Sequence, residues 1–214
     1  MSASGSPPEQ RPVIADTVVV NYFLAVGALD LLRKLIGGAV RVPRAVFDPD
    51  EGDDIAEEAT SELRRGLRLH RRRSQDKRIT TELQQRSARA LPHFESLPKL
   101  VARGELVVVD LSETELETFV QLRDKGFVAR FSLIAGLGRG EAAALALALG
   151  GRYDLATDDE DAIRVLKALR PGLVVMRIRA LLRLAVDRGL LGRDAARTIH
   201  REMVRAGFWD RVGF

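Results

Sequence analysis

The sequence predicts an α/β protein: a three-layer α/β/α sandwich around a central, mostly parallel sheet, with a helical insertion. Short apolar runs recur along the chain, and each is followed by a segment of helical length and pattern, the alternation expected of a parallel sheet. Glycine pairs and capping signals punctuate the helices. Acidic residues stand just past the apolar runs, where the carboxyl ends of parallel strands open onto a functional crevice.

The first unit is a strand at Val13–Ala15, followed by a helix carrying Leu24, Leu31, Leu32, Leu35 and Ile36 that Gly37 and Gly38 terminate. A second strand, Ala39–Val42, is closed by Pro43, so strand, helix and strand form a βαβ unit. From Asp48 to Glu62 the charged residues are all acidic, and from Arg64 to Arg78 nearly all are basic. The apolar spacing Ile55, Ala59, Leu63, Leu67 supports a helix across that reversal, with Glu62 able to pair with Arg65. Residues 79–102 read as helical, broken near Pro92 and Pro98. Leu106–Val109 is a strand, and Ser112 with Glu115 forms a capping box for a helix ending near Lys125. Gly140 and Glu141 open an Ala/Leu helix that ends at Gly150 and Gly151. Strand Tyr153–Thr157, a helix from Asp159 to Leu169 and strand Leu173–Met176 follow. Two helices, about Ile178–Arg188 and Arg193–Ala206, lead to an apolar Phe208-Trp209 tail.

The 214 residues suit a single domain over 13–214 after a polar lead-in at 1–12, with the charged insertion at about 50–78. A composition of 46% hydrophobic and 30% charged residues supports a buried core, and the net charge of +4 permits a polyanionic partner. The absence of cysteine excludes disulfides, thiolate zinc and a cysteine nucleophile, and three scattered histidines make no histidine-rich metal site. The lead-in lacks a signal-peptide core, and the longest apolar run, Ala142–Leu149, is far short of the ~20 residues that span a bilayer. A cytoplasmic location without membrane contact is expected.

Asp16, Asp48, Glu141 and Asp158 are the candidate chemistry. Carboxylates brought together from distant strand ends repel one another unless a cation lies among them, and oxygen ligands of this kind suit Mg²⁺ or Mn²⁺. That outlines a phosphoryl-transfer or nuclease site. Each acid also has a structural explanation. Asp16 and one of Asp158 and Asp159 suit helix caps, and Glu141 sits in a first turn that favours negative charge. The glycines at 136, 138 and 140 match neither a dinucleotide fingerprint nor a P-loop. Arg139 beside them is a candidate phosphate contact, and Arg71, Arg72 and Arg73 in the basic run are candidate nucleic-acid contacts. That run contains no aromatic residue for base stacking, so a solvated helix face or a surface for an acidic partner protein is at least as good a reading.

The stretches Val13–Phe23, Val42–Asp48, Leu137–Ala142 and Leu155–Asp159, with the ending Arg188–Trp209, together resemble the PIN domain family of metal-dependent nucleases. The similarity is greatest to stand-alone bacterial members of the toxin–antitoxin type. The resemblance implies that Asp16, Glu141 and Asp158, assisted by Asp159, hold Mg²⁺ or Mn²⁺ for hydrolysis of RNA phosphodiester bonds. It also implies an antitoxin protein as partner and a homodimer. Two positions depart from the family pattern: Val18 stands where a small polar residue is common, and Asp48 where Glu is usual, with Asp50 and Glu51 as stand-ins. These departures leave a second reading, a non-catalytic nucleic-acid-binding or regulatory module on the same fold.

Overall fold

The computed structural model describes residues 11–51 and 60–208. Most of the polar lead-in, the acidic stretch around Ile55 and Ala59, and Trp209 lie outside the described residues. Five strands form one parallel sheet: β1 (Val13–Ala15), β2 (Val40–Pro43), β3 (Leu106–Val109), β4 (Asp154–Ala156) and β5 (Val175–Met176). Their order is β3-β2-β1-β4-β5, with Ile14 in register with Arg41 on one side and with Leu155 on the other. The chain therefore builds outward from β1 in one direction and then in the other. The reversal falls between β1 and β4, the point where an open α/β sheet leaves a crevice at its strand ends.

Eleven helices are described. They are α1 (Thr17–Ala25), α2 (Leu29–Leu35), α3 (Glu62–Gln75), α4 (Thr81–Glu95), α5 (Leu97–Ala102), α6 (Glu113–Arg123), α7 (Lys125–Ala129), α8 (Arg139–Leu149), α9 (Glu160–Leu169), α10 (Ile178–Asp187) and α11 (Arg193–Arg205). None is long and apolar enough to cross a membrane.

Alternation along the strands divides the core into two layers. Val13 and Ala15 point to one face with Phe23 of α1, Leu63 of α3, Phe94 of α4, Leu181 of α10 and Met203 of α11. Ile14 and Leu155 point to the other, with Leu122 of α6, Leu145 and Leu147 of α8 and Val165 of α9. Because both faces are covered, the strands read as continuous apolar runs rather than as alternating ones. Alanines line α8, whose residues from Ala142 to Ala148 are all buried, which lets that helix lie close against the sheet.

Four local departures from the sequence expectation have physical causes. The first helix is two, because Gly27 takes a left-handed conformation (φ +67°) and the His93 ring packs so near that a Cβ there would sit 2.8 Å from it. Pro92 does not end α4, which runs on to Glu95; the break comes at Ser96, and Pro98 occupies the first turn of α5, where its missing N–H costs no helical bond. The insertion helix starts at Glu62, at the charge reversal itself. The short α7 is additional, and Asp124 caps it by accepting from the Phe127 amide at 2.7 Å. The expected capping box of α6 is present, with Glu115 also gripped by Arg152.

The glycine-rich loop before α8 is shaped by close approach. A Cβ at Gly136 would overlap the Arg123 backbone, whereas one at Gly172 would meet nothing within 4 Å. Gly136→Ala should therefore lower the unfolding free energy by about 1–3 kcal/mol. Gly172→Ala should stay within about 0.5 kcal/mol of the wild type. Urea titration of both variants measures the contrast, and equal midpoints would refute it.

Candidate active site

The chain leaves β1 directly into α1, and Asp16 occupies the junction. It is 1% exposed. Its Oδ1 accepts from the Val19 amide at 2.9 Å, the bond of an N-cap, and its Oδ2 accepts from the Thr157 hydroxyl. Thr157 lies just past β4, so this contact ties the two strand ends together across the switch point. The next residue, Thr17, donates its hydroxyl to Glu62 in the first turn of α3. The other oxygen of Glu62 accepts from the Gly140 amide of α8 at 3.0 Å. Gly140 is fixed by this meeting, since a Cβ there would collide with both Glu62 and Thr17.

Glu141 follows in the first turn of α8, half-buried, with Oε2 accepting from the Gly138 amide at 2.8 Å. Asp159 caps α9 by accepting from the Ala162 amide at 2.6 Å. The four acids are electrostatically coupled. Burial pushes the Asp16 carboxyl up to about 8; the bonds from Thr157 and Val19 oppose the rise, and repulsion from Glu141 and Asp159 adds to it. Burial likewise pushes Glu141 up to about 7, with repulsion from Asp159 and Glu62 contributing.

The predicted site residues are thus partly regrouped. Asp16 and Glu141 come together with Asp159, the assisting acid, rather than with Asp158. The acid that meets Thr17 and α8 is Glu62, not Asp48. Asp48 is taken up by Arg44, which bonds it at 2.8 Å and also pairs with Asp50 and Asp110. Glu51 accepts from the Ser61 amide at 2.8 Å, at the N-cap of α3. Asp158 is committed beside the site: its carboxylate accepts from Arg177 at 3.0 Å and from the Ile178 amide at 2.6 Å, anchoring the start of α10. Arg139 begins α8. Arg71–Arg73 lie roughly 14 to 17 Å along α3 from Glu62, at about 1.5 Å per residue. Arg71 pairs there with Glu95, so these three arginines do not line the acids.

The arginines next to the acids are scattered in sequence. A groove of about 1260 Å³ opens beside Asp159, walled by Arg177, Arg179 and Arg183, Arg164 of α9, and Tyr22 with Phe208, and its four arginines are matched by Asp158, Asp159, Glu160 and Asp187. The two aromatic rings are 5.2 Å apart and tilted by 57°. The sequence held one signal for this wall: arginines at 179 and 183, one turn apart on a helix whose other face is apolar.

The chemistry of the donor set suits a hard divalent cation: a group of carboxylates, two of which burial and repulsion make harder to ionise until a cation is bound. Among the described residues, no three His, Asp or Glu side chains are already placed to hold such an ion. The fit lies in charge and ligand type, with the carboxylates themselves closing no cage.

A parallel α/β sheet with acids at its switch point defines a class of fold in which ligands bind outside the carboxyl ends of the strands. The family model described as a PIN domain matches residues 77–212, more than half of the sequence. The chain belongs to the PIN domain family. PIN domains are generally nucleases, and their nuclease members typically use divalent metals. Glu141, Asp158 and Asp159 fall within the matched residues; Asp16 and Glu62 precede them. Neither the curated proteins nor the solved structures gave a match.

The raised carboxyls set a pH dependence. An acid that ionises less readily when folded contributes stability that is fully present below its unfolded pKa, near 4. That stability is lost as pH rises through the folded values of about 7 and about 8. In chelator, the melting temperature should fall from about pH 5.5 to about pH 8.5, and Asp16→Asn should flatten the fall. A wild-type melting temperature that rises across that window, or a variant with the same slope, contradicts this account.

Proposed function

We propose that this PIN-domain chain is a divalent-metal-dependent endoribonuclease, with Asp16, Glu62, Glu141 and Asp159 as the carboxylates that hold Mg²⁺ or Mn²⁺. The observation that carries the reading is the gathering of these acids at the switch point, where burial first and mutual repulsion second raise Asp16 and Glu141. When bound, such an ion supplies Lewis-acid activation of a water and of the phosphate. The residues of the chain do the rest. Thr157 and the Val19 amide fix the orientation of Asp16, Thr17 and the Gly140 amide fix Glu62, and the Gly138 amide fixes Glu141. The groove alongside supplies guanidinium groups for a phosphate backbone.

The finer biological role, the toxin of a toxin–antitoxin pair restrained by an antitoxin protein and acting as a dimer, rests on the resemblance of the sequence to stand-alone bacterial members of the family. One observation favours a second reading, a non-catalytic nucleic-acid-binding module: the acids already serve as helix caps and do not enclose an ion as placed.

Cleavage of a mixed-sequence single-stranded RNA with Mn²⁺ separates the two. The nuclease reading expects chelator to abolish cleavage, and Asp16→Asn or Glu62→Gln to lower its rate by about 10² or more, the scale of losing a group that acts in the transition state. Asp48→Asn should stay within about threefold, since Asp48 serves Arg44. RNA left intact by metal-loaded protein, with binding unaffected by chelator, establishes the second reading instead.

A further inference from the structure

A second cavity lies at the far ends of the helices that carry the acids. It encloses about 340 Å³ and is walled by the end of α1, residues of α3 and α4, and the last turn of α11. Asp16 caps the start of α1 and Glu62 opens α3, whereas the cavity meets Ala25 and Val26 at the end of α1 and His70 and Arg73 well along α3. Along α1 that places it roughly 14 Å from Asp16, at about 1.5 Å per residue. The cavity is therefore separate from the carboxylate cluster.

Its wall is of two kinds. Ala25, Val26, Leu83 and Ala90 contribute carbon, while Arg73, Arg86, Arg89 and Arg205 contribute charge, with Glu202 the acid among them. Two of these arginines are committed within the fold. α1 and α11 both finish at the cavity, and the carbonyl ends of helices favour cations. Arg86 donates to the Arg205 carbonyl and pairs with Glu82, and Arg205 pairs with Glu202 at 2.6 Å. Arg73 and Arg89 differ: among the described residues neither has a hydrogen-bond or carboxylate partner.

His70 is a second, independent observation. Its ring lies against Phe94, with centroids 4.8 Å apart, and its buried Nδ1 bonds nothing among the described residues. Burial, with repulsion from Arg73 added, lowers its pKa, so the ring is neutral at neutral pH. Unpaired polar atoms in such places are uncommon and mark sites of function or ligation. His93 joins the same wall, where its ring packs on Gly27 in the space a Cβ would fill.

Two uncommitted guanidinium groups match a dianionic head, and the guanidinium fork suits phosphate. A carboxylate would balance only one of them, and a bare inorganic ion would leave the carbon wall uncovered. The volume is at the small end of ligand pockets, which limits the body of an occupant to about the size of a ring.

We propose that the cavity between α1, α3, α4 and α11 is a binding site for a small phosphate monoester, its phosphate held by Arg73 and Arg89 and its carbon body laid against Ala25, Val26, Leu83 and Ala90. This site goes beyond the nuclease reading and shares no residue with the carboxylates of that reading.

The test is isothermal titration calorimetry on the full chain in chelator at about pH 8, where a phosphate monoester is dianionic. The probes are phenyl phosphate, inorganic phosphate and benzoate. Phenyl phosphate should bind about tenfold tighter than inorganic phosphate, the gain from covering part of the ring. It should also bind about tenfold tighter than benzoate, whose single charge engages one guanidinium fewer. Arg73→Gln combined with Arg89→Gln should weaken phenyl phosphate by about tenfold or more at an unchanged melting temperature. Arg183→Gln, in the groove beside Asp159, should leave it unaffected. No binding of phenyl phosphate below about 10 mM, equal affinity for the three probes, or a double variant with wild-type affinity overturns the site. Asp16→Asn separates the two readings: it removes cleavage if the nuclease reading holds, and phenyl phosphate binding should be the same with or without it.

Discussion

Like-charge crowding is the constraint around which this fold is arranged. Asp16, Glu62, Glu141 and Asp159 stand at the N-terminal ends of α1, α3, α8 and α9 respectively. Each helix end contributes a partial positive charge and unpaired amides, worth about 0.3–1 kcal/mol per acid. Four helices pointing their amino ends at one place make a set of repelling carboxylates tolerable. Caps and chemistry are therefore not competing explanations. The same hydrogen bonds that make Asp16 and Asp159 good caps hold their carboxylates at the mouth of the crevice. The burial that raises two of the acids shows that helix ends alone do not neutralise the cluster.

The helical hairpin α3–α4 is part of this arrangement. It enters the chain between β2 and β3, and its packing puts Leu63 and Phe94 in the core beneath α1. A residue one position from a fully buried leucine has little freedom to move, which is how a glutamate far from Thr17 in sequence comes to accept a hydrogen bond from its hydroxyl. Gly66, one turn further along, lets Phe94 and α4 approach closely.

Much of the architecture was legible because it is written in local signals. The strands of β1, β3 and β4, the Ser112–Glu115 capping box and the opening of the Ala/Leu helix at Gly140 and Glu141 all depend on residues a few positions apart. What the sequence concealed depends on packing between distant segments. Glu62 looked like an i,i+3 partner of Arg65, a contact that does form at 3.5 Å, and nothing local announced its meeting with Thr17 and Gly140. Asp48 drew attention by following a strand, although Arg44 four residues earlier was a visible competitor for it. Asp158 and Asp159 were indistinguishable as a pair until Arg177 and the start of α10 claimed the first. The basic run at 71–73 stood out in print, while the arginines that line the groove arrive singly from α9 and α10.

The anchoring of α10 by Asp158 carries a lesson for interpreting loss-of-function variants. One carboxylate both pins the first amide of that helix and positions the guanidinium of Arg177 in the groove wall, one residue before an acid of the cluster. Neutralising it would release a wall and disturb its neighbour together, producing an inactive protein whose phenotype mimics removal of a ligand. Inactivity at that position is therefore ambiguous by construction, and only a substitution that spares the backbone anchor while uncoupling the arginine assigns the cause.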